Sequence, residues 1–147
     1  MADHIYSVTV SSMSKVIPFK KRGVLPIMFA CSGPSDLAQV SNDIAITLHN
    51  LGYVEMLSLS SIGANIESVI DKAKTDRPVY VIEGCDTSCA KRCLESHGIQ
   101  IEKYINLNAL NVTRHTHHNV SFAEGARYLR LVYQELGITR RPRLEIK

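Results

Sequence analysis

Tryptophan is absent and phenylalanine occurs only three times in 147 residues. Stacking platforms for single-stranded nucleic acid are therefore sparse. A strong charge of one sign is also missing. The net charge of +3 is far from the basic field of a typical nucleic-acid binder. The two basic clusters, Lys20-Lys21-Arg22 and Arg140-Arg141-Pro142-Arg143, sit near the chain ends and read as solvated segments. No nucleic-acid partner is expected. No apolar run approaches the roughly 18–20 residues that cross a membrane. The longest, Val24 to Cys31, is far too short and contains Pro26, so no membrane association is expected. The amino terminus carries Asp3 and His4 in place of a signal-peptide apolar stretch, and the expected location is the cytoplasm. With 8 glycines and 5 prolines the chain is neither collagen-like nor low in complexity, and 45% hydrophobic residues argue against disorder.

What is present is one domain's worth of chain, long enough to bury a core without a metal or disulfide to hold it. Three parts are expected: a peripheral segment over residues 1–22, an α/β domain over 23–139 and a basic tail over 140–147. Tyr6, Val8 and Val10 alternate with smaller or polar neighbours, which allows an extra edge strand. From Val24 the pattern is regular. Val24 to Ala30 reads as a buried strand ending in Cys31-Ser32-Gly33-Pro34. Leu37, Val40, Ile44, Leu48 and Leu51 then recur at steps of three and four, which is one helical face, with Asn50 and Gly52 at its end. Glu55 to Leu59 is a weaker strand, and Ile66, Val69, Ile70 and Ala73 make a short helix after Gly63. Val79 to Ile82 is the clearest strand and runs into Glu83-Gly84-Cys85. Asp86 to Ser96 has helical composition and stops at His97-Gly98. Tyr104 to Leu107 is a fourth strand. Ser121 to Leu136 is a last helix, with Phe122, Ala126, Leu129, Val132, Tyr133 and Leu136 on its apolar side.

Alternating strands and helices call for a three-layer α/β sandwich around a mainly parallel sheet. Right-handed crossovers favour the strand order 2-1-3-4. In that order the chain reverses direction between the first and third strands, and ligands of such sheets bind beyond the carboxyl ends of the strands at this switch point.

The four cysteines, Cys31, Cys85, Cys89 and Cys93, carry the functional information. In a reducing compartment, thiols read as metal ligands or redox groups before structural disulfides. Cys31 and Cys85 end adjacent strands and flank the crevice. Cys89 falls in the first turn of the next helix, where the helix dipole and free amides favour thiolate, the form that binds metal. The Cys31 and Cys85 sulfurs are expected within about 4 Å of each other, the spacing that zinc–thiolate bonds of about 2.3 Å impose. Cys93 is harder to place. Eight helical positions span about 12 Å, so Cys93 and Cys85 share an ion only if Cys85 folds back over the helix end. Cys93 is thus a fourth ligand or a buried small apolar residue. Buried inert thiols are common, and the C-x3-C-x3-C run is not a zinc-finger spacing. It is the convergence of strand ends and a helix start that points to a shared site.

The stretches Cys31-Ser32-Gly33-Pro34-Ser35, Gln39-Val40-Ser41-Asn42, Ser61-Ile62-Gly63-Ala64 and Glu83-Gly84-Cys85-Asp86-Thr87-Ser88-Cys89-Ala90-Lys91-Arg92-Cys93-Leu94-Glu95 resemble the DGC-domain family. The resemblance runs from about Leu25 to Leu129 and implies a zinc site built from clustered cysteines, to which Cys31, Cys85 and Cys89 correspond. The name-giving Asp is Glu83 here. Many relatives carry a further cysteine where, aligned on Gly63, this chain has Ser58, a poor zinc ligand. The fourth position then passes to Cys93, to a histidine or to water. His115 and His117 are histidine candidates beside His118, though a plain polar loop accounts for all three. His97 and His49 are each explained by a helix carboxyl terminus. His4 has no legible role.

Other motifs fail. Cys31 is followed neither by a phosphate-loop G-x4-G-K-[ST] nor by an arginine at the spacing of a C-x5-R phosphatase. The C-x3-C-x2-C spacing of radical enzymes and a Rossmann glycine fingerprint are both missing. No paired carboxylates mark acid–base chemistry. Glu83 and Asp86 read as exposed acids that cap the helix, or as groups orienting a ligand from behind. Three readings remain: a zinc-binding module, a thiol redox protein cycling a disulfide among Cys31, Cys85 and Cys89, and an iron–sulfur protein.

Overall fold

The computed structural model describes residues 24–110, 112 and 120–139. The anticipated amino-terminal edge strand, the basic tail, His4, His115, His117 and His118 lie outside the described residues.

Four parallel strands, β1 (Ile27–Ala30), β2 (Glu55–Met56), β3 (Val79–Glu83) and β4 (Lys103–Asn106), form one sheet in the order β2-β1-β3-β4. Ile27 of β1 pairs with Glu55 and Val79, and Tyr80 of β3 pairs with Lys103. Both central strands are buried throughout, because each of their faces is covered. Helices α1 (Asp36–Asn50) and α5 (Phe122–Glu135) cover one face, and α2 (Leu59–Gly63), α3 (Glu67–Ala73) and α4 (Cys89–Ser96) cover the other. The strand alternation sorts the two cores. Met28, Ala30, Tyr80 and Ile82 pack with Leu37, Leu48, Tyr128 and Val132, while Ile27, Phe29, Val79 and Val81 pack with Ile62, Ala90 and Leu94. This is the expected three-layer sandwich with its switch point between β1 and β3.

The local signals explain most boundaries. Ser35 caps α1 by accepting from the Ala38 amide, and Gly52, at φ 73°, takes the left-handed turn after it. Ser121 and Glu124 form a capping box on α5. Three expectations change. The second strand is shorter than expected, because after the Leu57 amide bonds Met28 O the chain turns into α2. The helix expected from Asp86 starts at Cys89, so Cys85 to Ser88 is loop. On α5 the buried stripe is Tyr128, Val132 and Leu136, while Phe122 is 94% exposed and Ala126 is also exposed. Both alternatives have helical spacing, and only the docking of the helix's second half on the sheet chooses between them.

The edge strand β2 is tied down electrostatically. Glu55 accepts from Lys72 of α3 and from Arg77 at 2.7 Å, and Arg77 also donates to Leu25 O. Those two cations hold the Glu55 carboxyl below its ordinary value near 4.5. A carboxylate whose pKa is depressed on folding contributes stability above its unfolded pKa and loses it as pH falls through the folded one. Glu55→Gln is expected to cost about 0.5–1 kcal/mol at pH 7, since the groups are partly exposed and screened. In urea titrations, the gap between Glu55→Gln and wild type should narrow progressively as the pH falls below the ordinary carboxylate value near 4.5. A gap of equal size at pH 3 would rule out the electrostatic origin.

Candidate metal centre

Strand β1 delivers Cys31 and strand β3 delivers Gly84 and Cys85 to the same carboxyl edge of the sheet. The Cys31 amide donates to Ile82 O at 3.0 Å, so the β1–β3 pairing continues to the cysteine itself. Helix α1 then grips the loop that follows. The buried Ser41 hydroxyl donates to Cys31 O at 2.9 Å, and the Gln39 side chain donates through Nε2 to Gly33 O at 2.7 Å and Ser32 O at 3.3 Å. On the other side of the crevice Gly84 lies directly against the backbone of α1. A Cβ on Gly84 would stand 2.0 Å from Leu37 O, so no other residue fits.

The three sulfurs of Cys31, Cys85 and Cys89 form a nearly equilateral triangle. Cys31 and Cys85 are 3.9 Å apart, and each is 3.7 Å from Cys89. A tetrahedral zinc ion with bonds of about 2.3 Å holds its sulfurs about 3.8 Å apart, so the donor set suits such an ion in both chemistry and spacing. Cys31 is 3% exposed, Cys85 is half-buried and Cys89 is exposed, so the triangle faces solvent on its Cys89 side. Three thiolates would fill three positions of a tetrahedral ion, and among the described residues no fourth ligand joins them.

The thiols are not equivalent. Burial pushes the Cys31 thiol up to about 12, assisted by its two sulfur neighbours, and the backbone hydrogen bond with Gly33 only partly offsets this. At Cys85 burial pulls the same way, but hydrogen bonds with Thr87, Cys89 and Cys31 outweigh it and the thiol is lowered. The Thr87 hydroxyl lies 3.0 Å from the Cys85 sulfur and 3.8 Å from that of Cys89. A bound cation would favour deprotonation of all three.

Behind the triangle lies a buried carboxylate. Glu83 is fully buried, not the exposed acid that its place beside a loop suggests. Its Oε1 accepts from the Ala90 amide at 2.5 Å and the Lys91 amide at 3.1 Å, and its Oε2 accepts from the Tyr104 hydroxyl at 2.7 Å. The first-turn amides of α4 expected to favour thiolate are thus engaged by Glu83. The Ala90 residue is itself buried, so losing this acceptor leaves an unpaired amide at a cost of about 1–3 kcal/mol. The Cys85 to Ser88 loop is held by Asn106, which donates to Cys85 O at 3.4 Å, and by Asn108, which donates to Asp86 at 2.5 Å.

Cys93 lies outside the triangle. It packs with the α2–α4 core, where a Cβ on Gly63 would stand 3.9 Å from its sulfur, and burial raises its thiol. Ser58 precedes α2 and pairs its hydroxyl with Ser60 at 2.7 Å. His97 ends α4, with Nδ1 2.9 Å from Cys93 O and Nε2 2.9 Å from Asn65 Oδ1. The Nδ1 atom of His49 accepts from the Met56 amide at 3.3 Å. Sequence reasoning missed Tyr104, Thr87 and Ser41. Thr87, between two cysteines, had a positional signal, but Tyr104 reads as an ordinary strand residue until the β3–β4 register places it near Glu83. A groove of about 540 Å³ lined by Lys74, Arg77, Pro78 and Glu102 opens at the opposite edge of the sheet, away from the thiols.

The family model of the DGC domain matches residues 27–132. The anaerobic and virulence modulator AnvM of Pseudomonas aeruginosa is 32% identical over 84 residues. That match covers 57% of this chain and 64% of the relative's length. No solved structure matches significantly.

Proposed function

The chain belongs to the DGC-domain family, and from that premise we propose that it binds one zinc ion through the thiolates of Cys31, Cys85 and Cys89. The observation that carries this reading is the sulfur triangle, whose sides of 3.7 and 3.9 Å match those of a tetrahedral zinc–thiolate site. Bound zinc would supply a Lewis-acidic centre, and among the described residues no side chain fills its fourth position. Cys31 anchors it from the buried side, Cys85 enters as the most readily ionised of the perturbed thiols, and Cys89 closes the set at the solvent face. Thr87 orients its hydroxyl toward Cys85. Cys93 serves packing, which its place in the α2–α4 core supports.

An open centre suits sensing or delivery better than a purely structural role, because closed four-ligand sites are the structural ones. The proposed setting is the cytoplasm, where thiols stay reduced. Among the described residues no helix is long and apolar enough to cross a membrane. A second reading, a thiol redox protein, draws on the lowered Cys85 thiol beside two sulfurs within 3.9 Å. Metal analysis of protein purified without oxygen separates the readings. We expect about one zinc per chain and three thiols protected from alkylation until a chelator is added. Iron with acid-labile sulfide would establish a cluster instead. No metal together with a reversibly titrating disulfide would establish the redox protein.

A further inference from the structure

Cys31 and Cys85 are placed by the ends of two adjacent strands, but Cys89 has no such support. It is the first residue of α4, and its position depends on where that helix begins. An eight-residue helix does not hold its own first turn in water. Its own N-cap does not help either. Ser88 sits in the left-handed region at φ 50° and its side chain makes no capping bond. Its hydroxyl instead meets Tyr104 Oη at 2.9 Å. The amides of Ala90 and Lys91, which immediately follow Cys89, both go to Glu83.

We propose that Glu83 is the positioning residue for Cys89, holding the third sulfur at its distance from the other two by capping α4 from the neighbouring strand. The inference rests on the metal-binding reading for its purpose, but the placement of Cys89 can be measured without metal. The links run from 2.5 to 3.1 Å; the bond to Ala90 is buried and the others are half-buried. Glu83 is fixed through the β3–β4 ladder, in which it pairs with Asn106. Its second oxygen is held by the Tyr104 hydroxyl. Tyr104 also meets Ser88, so Cys89 is tied to β4 through the residue before it and to β3 through the residues after it. A cap on α4 alone would be replaceable by any N-cap side chain. A cap reaching from β3 also sets the distance between the helix start and the end of the strand that carries Cys85.

The full chain provides the test, as reduced metal-free protein and as its Co(II) complex. Diamide joins neighbouring thiols pairwise, and peptide mapping shows which pairs form. Wild type sets the reference ratio of Cys31–Cys89 and Cys85–Cys89 to Cys31–Cys85 cross-links, since all three sulfur pairs lie within 3.9 Å. Glu83→Ala, still folded by circular dichroism, should lower both Cys89 cross-links about tenfold relative to Cys31–Cys85. Its Co(II) thiolate charge-transfer band should fall by about a third, as one of three sulfurs leaves. Glu83→Gln keeps a carbonyl that accepts both amides and should restore both readouts to within about twofold of wild type. If Glu83 serves stability alone, thermal unfolding shifts while the cross-link ratio stays at the wild-type value, and the inference fails. Should Glu83→Ala not fold, Tyr104→Phe removes the donor to Oε2 and should move the same ratio about threefold. An unchanged ratio in folded Tyr104→Phe would then overturn the inference. A wild-type chain that takes up no Co(II) ends the metal-binding reading, while the cross-link ratio still decides the role of Glu83.

Discussion

Cys85→Ser should leave a folded protein that retains almost no zinc. A serine hydroxyl is a poor zinc ligand and stays neutral where the thiol ionises. The substitution also removes the sulfur that lies 3.7 Å from Cys89 and 3.9 Å from Cys31, so the two remaining sulfurs form a single edge of the triangle. Affinity should fall by more than the roughly 10–100-fold typical of losing a group behind the ligands. Cys93→Ser is the control. Its sulfur lies outside the triangle and contacts the α2–α4 core, so its loss should cost stability of about 1 kcal/mol and leave the zinc content intact. Zinc analysis and thiol titration of the two variants side by side decide the matter. Equal loss of metal in both would make Cys93 a ligand. Full retention without Cys85 would move the metal elsewhere, with His115, His117 and His118 the first residues to substitute.

Gly84→Ala should be the most damaging single methyl in the described part of the chain. The new Cβ would sit 2.0 Å from Leu37 O, 2.1 Å from Leu37 C and 2.5 Å from the Ala38 amide nitrogen, and all three are backbone atoms. Backbone in the first turn of α1 cannot swing aside as a side chain would, because Leu37 and Ala38 are buried and the Ala38 amide is held by Ser35. Relief requires α1 to lift from the exit of β3. We expect a loss of upward of about 3 kcal/mol, out of the roughly 5–15 that hold a domain together. For a chain of this size that lowers the melting temperature by about 10 °C. Urea denaturation gives the free energy. A variant as stable as wild type would mean that α1 does not rest on Gly84 as described. Because Gly84 joins Glu83 to Cys85, zinc affinity should fall in the same variant even at temperatures where it stays folded.

The strand order and the meeting of Cys31 with Cys85 were legible in the sequence. Both follow from local periodicity combined with one chirality rule: short apolar runs alternate with helical stripes, and right-handed crossovers allow few arrangements. Once the order is known, two cysteines at the ends of adjacent strands must be neighbours. Helical composition places Cys89 in the first turn of a helix starting at Asp86; it does lie in a first turn, but of a helix that starts at Cys89 itself.

What the sequence left open depends on distances between elements, which no periodicity encodes. Glu83 looks like a loop acid, because its burial arises only when α4 packs across the sheet and β4 brings the Tyr104 hydroxyl to its second oxygen. Phe122 belongs to an apolar stripe as plausible as that of Tyr128, and the angle at which α5 docks exposes the one and buries the other. Gly84 is an ordinary turn residue until Leu37 O lies against it. Cys93 shares a helical spacing with Cys89, and only the packing of α2 against α4 turns it away from the other sulfurs. Sequence thus determined which elements meet at the crevice, through periodicity and handedness. Tertiary structure decided which side chains complete it, because hydrogen bonds and steric contacts are settled over a few ångströms between segments far apart in the chain.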